Sequence, residues 1–211
     1  MNINRKIYIK IKNIFDFIFS LIFLILGFPL FFLIAVLVKL SSRGPIFFLH
    51  KRIGKNKKYL YCIKFRTMHP EANDILNTLL SKNEAIRNEF EKTHKLKNDP
   101  RITPLGKILR KTSLDEIPQF LNVLKGEMSI VGPRPIVKKE IQKYGKSYNK
   151  VISIKPGITG LWQVSGRNNL SYKRRVILDC LYVDNISPFL DLRIIIRTFG
   201  VIFFPNDRGA Y

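Results

Sequence analysis

The 211 residues carry 37 Lys and Arg against 15 Asp and Glu, a formal charge of +22, which points to an anionic partner: lipid headgroups, phosphorylated substrates or nucleic acid. The length suits one domain of ordinary size beside any membrane segment. The two cysteines, Cys62 and Cys180, stand in apolar surroundings and read as small buried hydrophobes, not as a disulfide; His50, His69 and His94 lack the spacing and cysteine neighbours of a zinc site and read as structural or surface residues.

Residues 1–12 form a basic segment containing Arg5, Lys6, Lys10 and Lys12, and residues 13–40 contain an apolar run, 17–38, whose one polar side chain is Ser20. A bilayer-spanning helix needs about 20 such residues, so the run is long enough. Its middle is broken at Gly27-Phe28-Pro29. Apolar residues contribute roughly −0.3 to −0.6 kcal/mol each to insertion, which together outweigh the ~3 kcal/mol of an interior proline. The proline therefore bends the segment without expelling it. Basic flanks stay cytoplasmic, and here both are basic, with Lys39, Arg43, Lys51, Arg52, Lys55, Lys57 and Lys58 following the run. The expectation is a re-entrant helix-hairpin, bent at Gly27 and Pro29, that enters and leaves by one face. Asp16 would cap or anchor its first half. A kinked single-pass anchor is the alternative; a cleaved signal peptide is disfavoured by the length of the run and the lack of a small-x-small site. Each juxtamembrane Lys or Arg contributes about 1 kcal/mol of attraction to an anionic leaflet, so anionic membrane lipids are expected partners.

Residues 41–211 read as one compact cytosolic domain. After the turn Ser41-Ser42-Arg43-Gly44-Pro45, two short apolar stretches, 46–50 and 59–65, are separated by Gly54-Lys55-Asn56-Lys57-Lys58 and predict a hairpin. Residues 71–97 are good helix formers with polar faces, forming one long surface helix or two, and stop at Asn98-Asp99-Pro100. Thr103-Pro104-Leu105-Gly106 opens a short helix through Arg110, and Ser113-Leu114-Asp115-Glu116-Ile117-Pro118 leads into another through Leu124. Loops at Gly132-Pro133-Arg134-Pro135 and Lys155-Pro156-Gly157 are stiff and basic, suited to the walls of a site. The apolar stretch 188–204 sets Arg193 and Arg197 on one helical face, as in an interfacial helix with snorkelling arginines; a buried core helix is the alternative.

Adjacent carboxylates are scarce in so basic a chain, and Asp115-Glu116 follow Arg110-Lys111-Thr112-Ser113 directly. A carboxylate can hold magnesium or attack phosphorus, while Lys64, Arg66, Arg110, Arg134 and Arg167 can neutralise phosphates. The plainer reading makes Ser113 or Asp115 a helix cap and lets Glu116 meet the helix dipole. Gly145-Lys146-Ser147 is like the end of a P-loop, but Glu140 stands where that loop needs glycine. Trp162 and Tyr172, near Arg167, would stack on a base or seat at the membrane interface, core packing being the alternative.

Six ordered motifs carry a specific resemblance: Lys64-Phe65-Arg66-Thr67-Met68; Thr112-Ser113-Leu114-Asp115-Glu116-Ile117-Pro118-Gln119; Asn122-Val123-Leu124-Lys125-Gly126-Glu127-Met128-Ser129; Val131-Gly132-Pro133-Arg134-Pro135; Lys155-Pro156-Gly157-Ile158-Thr159-Gly160; and Tyr182-Val183-Asp184-Asn185. Together with the proline-broken helix they resemble the bacterial sugar transferases known as monotopic phosphoglycosyl transferases. The run Leu161-Trp162-Gln163-Val164-Ser165-Gly166-Arg167 and the ending Asp207-Arg208-Gly209-Ala210-Tyr211 are most similar to the undecaprenyl-phosphate galactose or glucose phosphotransferase branch, although no multi-span N-terminal region is present here and Phe28 precedes Pro29 where some relatives place serine.

The resemblance implies an α+β, mainly helical fold: a re-entrant membrane helix, a catalytic domain with a short β-hairpin, and interfacial amphipathic helices. It implies transfer of a sugar-1-phosphate, a hexose, from a UDP-sugar donor to undecaprenyl phosphate with release of UMP, at the cytoplasmic face of the bacterial inner membrane, as the first membrane step of surface polysaccharide synthesis. Asp115 would be the nucleophile and a ligand of Mg2+, Glu116 an electrostatic support or a base, and Lys64, Arg110, Arg134 and Arg167 the phosphate-binding residues. A non-enzymatic basic membrane adaptor and a membrane-tethered nucleic-acid binder are the rival functions; no helix-turn-helix, zinc-finger or RNA-recognition signature supports nucleic acid as a partner. The pattern specifies no oligomeric state.

Overall fold

The protein, seen in a computed structural model, is described over residues 3–93, 96 and 98–203. His94, Lys97, Phe204 and the Asp207-Arg208-Gly209-Ala210-Tyr211 ending lie outside the described residues. The chain is mainly helical. Helix α1 (Ile3–Leu26) takes in the basic N-terminal residues without interruption, and α2 (Phe28–Ser41) follows after a single residue. The chain bends by 66° between them. Gly27 allows the turn because a Cβ there would meet the Phe23 carbonyl oxygen at 2.7 Å, and Pro29 has no N–H to continue the ladder onto Ile25. No helix among the described residues is by itself long and apolar enough to cross a membrane; α1 and α2 reach that length only as a bent pair. They form an open V with one exposed apolar face (Ile18, Ile22, Leu26, Phe32, Leu40).

The inner face of the V is seated on the domain. The hairpin pairs β1 (Phe47–Ile53) with β2 (Tyr59–Phe65), antiparallel, in the register Phe48↔Lys64 and Arg52↔Leu60. Ile34 and Val38 of α2 pack with Phe65 of β2 and Leu109, and the Phe31 and Phe65 rings lie 5.1 Å apart. Arg66 anchors the end of α2 by donating to the carbonyls of Val38 and Ser42 at 3.2 and 2.6 Å, which supplies donors to orphaned C-terminal carbonyls. The polar stretch after the hairpin forms two helices, α3 (Ala72–Lys82) and α4 (Glu84–Thr93). They part at Asn83, whose Oδ1 accepts from the Ile86 N–H at 3.1 Å.

Helix α5 (Pro104–Thr112) begins at Thr103, whose Oγ1 accepts from the Gly106 N–H at 2.9 Å. A 3-10 turn, Leu114–Glu116, links it to α6 (Gln119–Leu124). Phe120 of α6 stacks on Phe23 of α1 at 4.2 Å, joining the V to the domain a second time. Beyond α6, β3 (Ser129–Val131) pairs in parallel with β4 (Gly157–Thr159), with short helices α7 (Ile141–Tyr144) and α8 (Tyr148–Val151) between them. The pairing brings Gly132 and Gly157 together so closely that a Cβ on Gly157 would meet the Gly132 nitrogen at 2.1 Å, so the two glycine-proline loops lie side by side. Gly145-Lys146-Ser147 forms a separate 3-10 turn.

Helices α9 (Tyr172–Asp184) and α10 (Pro188–Phe203) complete the core. Helix α10 combines both expected roles: Ile194 is buried with Val131, Tyr182 and Val183, while Phe189, Leu192, Ile196 and Phe199 are exposed beside exposed Arg193 and Arg197. A buried polar cluster ties it to α1. Lys12 Nζ lies 2.8 Å from Asp191 and 3.4 Å from Asp16; Tyr8 and Tyr182 each approach Asp191 at 2.7 Å, and Ser129 Oγ donates to Asp16 at 2.5 Å. Asp16 is therefore an anchor inside α1 and not a cap, because the helix starts thirteen residues earlier, at Ile3. Such a cluster tolerates burial only with its partners complete.

Candidate active site

The chain reverses between α5 and α6 through Ser113, which adopts the left-handed conformation with φ 59°. That reversal turns Asp115 and Glu116 into an open cleft of about 1680 Å³. Neither acts as a cap: Ser113 makes no side-chain cap bond, and α6 starts at Pro118 without one. Lys64 reaches over from β2, with Nζ 2.5 Å from Glu116 Oε1 and 3.9 Å from Asp115 Oδ2. Arg110, in the last turn of α5, is oriented by an Nε donation to Thr67 Oγ1 at 2.9 Å. Arg134 comes from the loop after β3, and Arg167 from a 3-10 turn, Arg167–Asn169. Lys64, Arg110, Asp115, Glu116, Arg134 and Arg167 all line this one cleft. Gly27 and Pro29 stand apart from them, at the vertex of the V. Arg66 lines the cleft too, but its guanidinium is committed to the end of α2.

The two carboxylates differ in character. Burial pushes Asp115 up to about 6, with the Glu116 charge adding to the shift and Lys64 and Arg110 opposing it. Burial acts on Glu116 as well, yet Lys64, Arg134 and Arg52 outweigh it and hold Glu116 below its usual value. Adjacent acids with separated proton affinities are a pattern that recurs at functional sites. His50 lies in the same cleft, near Arg52 Nη2 at 3.2 Å. Burial and the Arg52, Lys64 and Arg134 cations push it down to about 4, so it stands as a neutral imidazole.

Several contributors escaped the sequence reading. Arg52 lines the cleft and donates to the Pro135 carbonyl at 3.3 Å; the two-residue period of the hairpin puts residues 48, 50 and 52 on the Lys64 face, a signal that was available. Arg175 packs over the Trp162 ring at 4.9 Å, with Arg134 over the same ring at 5.9 Å. Trp162 is thus a buried cleft wall braced by two arginines, and Tyr172 meets Tyr144 edge-on at 5.8 Å. Cys62 is buried against Met128, and no disulfide joins it to Cys180.

Among the described residues, no group of three or more His, Cys, Asp or Glu side chains could hold a metal ion. A full protein cage is thereby absent from them, but magnesium is commonly bound through one or two carboxylates plus substrate phosphates and water. Asp115 fits that donor set, since Glu116 is the closer partner of Lys64.

The family model described as bacterial sugar transferase matches residues 7–205. The chain is 45% identical over 200 residues to an exopolysaccharide production protein of Rhizobium meliloti, covering 95% of this chain and 88% of that one. It is 45% identical to the undecaprenyl-phosphate galactose phosphotransferase of Salmonella typhimurium and 38% identical to the UDP-glucose:undecaprenyl-phosphate glucose-1-phosphate transferase of Klebsiella pneumoniae, covering 95% of this chain in both cases but only 42% and 41% of those longer proteins. A match from residue 7 to residue 205 takes in the V, the cleft and all six of its candidate residues, and the chain belongs to the bacterial sugar transferase family.

Proposed function

We propose that the protein transfers a hexose-1-phosphate from a UDP-sugar to undecaprenyl phosphate at the cytoplasmic face of the inner membrane, releasing UMP and starting a surface polysaccharide or glycoconjugate. The observation that carries this reading is the composition of the cleft: two carboxylates of unlike proton affinity and a cluster of cations share its lining with Phe19 and Phe23 of α1 and Phe199 and Ile202 of α10. A water-soluble diphosphate and a polyprenyl phosphate need a shared chamber of this kind. The names of the Salmonella and Klebsiella relatives support the hexose and the lipid acceptor.

The V favours a re-entrant insertion. Its arms carry roughly ten apolar residues each, about 15 Å of helix apiece; even stood on end, with the 66° bend, they reach about 25 Å, short of the ~30 Å hydrocarbon core. Set symmetrically, with both basic flanks at the headgroups, the vertex descends roughly 8 Å, about half a leaflet. Anionic lipids would hold those flanks.

In the reaction, an ionised Asp115 oxygen attacks the phosphorus bearing the sugar. The bond from that phosphorus to the bridging oxygen breaks, and UMP departs with the electron pair. An oxygen of undecaprenyl phosphate then attacks the same phosphorus, and the aspartyl-phosphosugar bond breaks to restore Asp115. Asp115, together with the donor diphosphate, would hold a magnesium ion, which would supply charge neutralisation for the diphosphate and the departing UMP. Glu116, kept ionised by its surroundings, is better suited to fixing Lys64 against the phosphates than to taking a proton. Arg110, Arg134 and Arg167 bind and orient the diphosphate. Acceptor-dependent UMP release from a panel of UDP-sugars tests the reading, together with a phosphohexose adduct on Asp115 detected by mass spectrometry when acceptor is withheld. Full activity in Asp115→Asn would remove the nucleophile, and an absence of release from every donor would favour the adaptor.

A further inference from the structure

His50 stands on β1 between Phe48 and Arg52, and all three line the cleft. It pairs across the hairpin with Cys62, while Phe48 pairs with Lys64. His50 and Lys64 are therefore diagonal neighbours on one face, with backbones about 7–8 Å apart, and Lys64 itself reaches both carboxylates. One imidazole nitrogen is committed: Nδ1 lies 3.2 Å from Arg52 Nη2. A guanidinium only donates, so Nδ1 accepts, and the proton of the neutral ring sits on Nε2. Arg52 is pinned in turn, donating to the Pro135 carbonyl at 3.3 Å and lying 3.8 Å from Glu140. The burial and neighbouring cations that push His50 down to about 4 agree with the neutral form. Nε2, on the other edge of the ring, makes no hydrogen bond among the described residues and is not sealed from solvent. A histidine that served packing alone would have both nitrogens paired or buried among partners. Beside it, the exposed Phe48 ring meets the imidazole edge-on, with centroids 5.6 Å apart.

We propose that His50 is a specificity-determining residue of the donor site: its Nε2–H, oriented through Nδ1 by Arg52, donates to one hydroxyl of the hexose of the UDP-sugar. The inference rests on the reaction proposed above. Lys64, Arg110, Arg134 and Arg167 already offer the diphosphate charged donors, and a neutral N–H adds little to them. It suits an uncharged oxygen. A pyranose presents C–H groups on its faces and hydroxyls around its edge, so an exposed phenyl ring beside one fixed donor matches both. The diagonal relation to Lys64 sets this pair next to the phosphate end of the cleft, where the sugar of the donor must lie. A sugar without the matching hydroxyl leaves the N–H unpaired, which is how such a site discriminates.

Binding and turnover of the full chain in nanodiscs test the role, using His50→Leu and His50→Gln. Leucine removes both nitrogens, whereas a glutamine amide can accept from Arg52 through its oxygen and donate to the cleft through its NH2. His50→Leu should lower kcat/KM for the preferred UDP-hexose on the order of 10-fold, and His50→Gln should recover most of that loss. The Kd of UDP, which carries the diphosphate without the sugar, should be the same in all three proteins. Among monodeoxy UDP-hexoses, removal of one particular hydroxyl should cost the wild type the same factor and cost His50→Leu nothing further, the non-additivity of a direct contact. Equal weakening of UDP would overturn the proposal by placing His50 on the phosphates. So would a His50→Leu variant as selective as the wild type, or additive losses at every hydroxyl position. If the wild type binds UDP-hexose but transfers nothing, the assigned reaction fails, and the ratio of UDP-hexose to UDP affinity in the three proteins still decides the role of His50; a wild type that binds no UDP-sugar overturns both.

Discussion

Replacing Asp115 by Asn should abolish transfer and stabilise the protein, and the stabilisation should depend on pH. The carboxylate is buried, and its proton affinity lies at about 6 against an ordinary 3.8. Between those values the folded state keeps a proton that the unfolded chain has released, so stability falls as pH rises through the window and levels off above it. The gap corresponds to about 3 kcal/mol once Asp115 is fully ionised, which for a chain of this length is roughly 6–12 °C in Tm. Asparagine keeps the shape and drops the charge, and Lys64 retains Glu116 at 2.5 Å, so no cation is stranded. Melting followed by Trp162 emission should therefore give curves for the two proteins that nearly coincide at pH 4 and separate progressively to pH 7. Gain of stability with loss of turnover is the expected trade at a strained functional group. A Tm difference independent of pH, or a less stable variant at pH 8, would refute the reasoning, since it would mean that the ionised carboxylate makes a net favourable contact.

The same coupling sets the acid limb of kcat/KM, which reports the donor-free enzyme and is expected near pH 6. Glu116→Gln should move that limb to lower pH, because the Glu116 charge raises Asp115, whereas Lys64→Met should move it upward; a pH–rate profile of kcat/KM for each variant checks both directions. EDTA should eliminate turnover and magnesium restore it, but magnesium alone should leave Tm unchanged and stabilise only together with donor, since one carboxylate is a poor cage; stabilisation by magnesium without donor would point to further protein ligands. Pro29→Ala should lessen the bend by restoring an N–H to the helix ladder, and labelling of single cysteines placed in the two basic flanks with an impermeant maleimide would show whether both remain on one side.

Legibility followed sequence distance. The hairpin, the capped start of α5 and the break between α5 and α6 depend on neighbours a few residues apart, and their signals are turn residues, a cap and a proline. The β3 and β4 pair is three residues long on each side and parallel, so neither strand has enough alternation to announce itself, and its partner is chosen by the approach of Gly132 to Gly157. The buried cluster of Tyr8, Lys12, Asp16 and Asp191 joins residues up to 183 positions apart, and no local pattern distinguishes those acids from surface ones. The site divides along the same line. Asp115 and Glu116 stand out because acids are rare in this chain, and Lys64, Arg134 and Arg167 because they sit within motifs. Arg175 and Asp179 share neither advantage. They lie one turn apart on α9, four residues from each other, where a basic and an acidic residue ordinarily read as an exposed helical pair; only the packing of α7, whose Tyr144 hydroxyl donates to Asp179 at 2.9 Å, accounts for the buried acid.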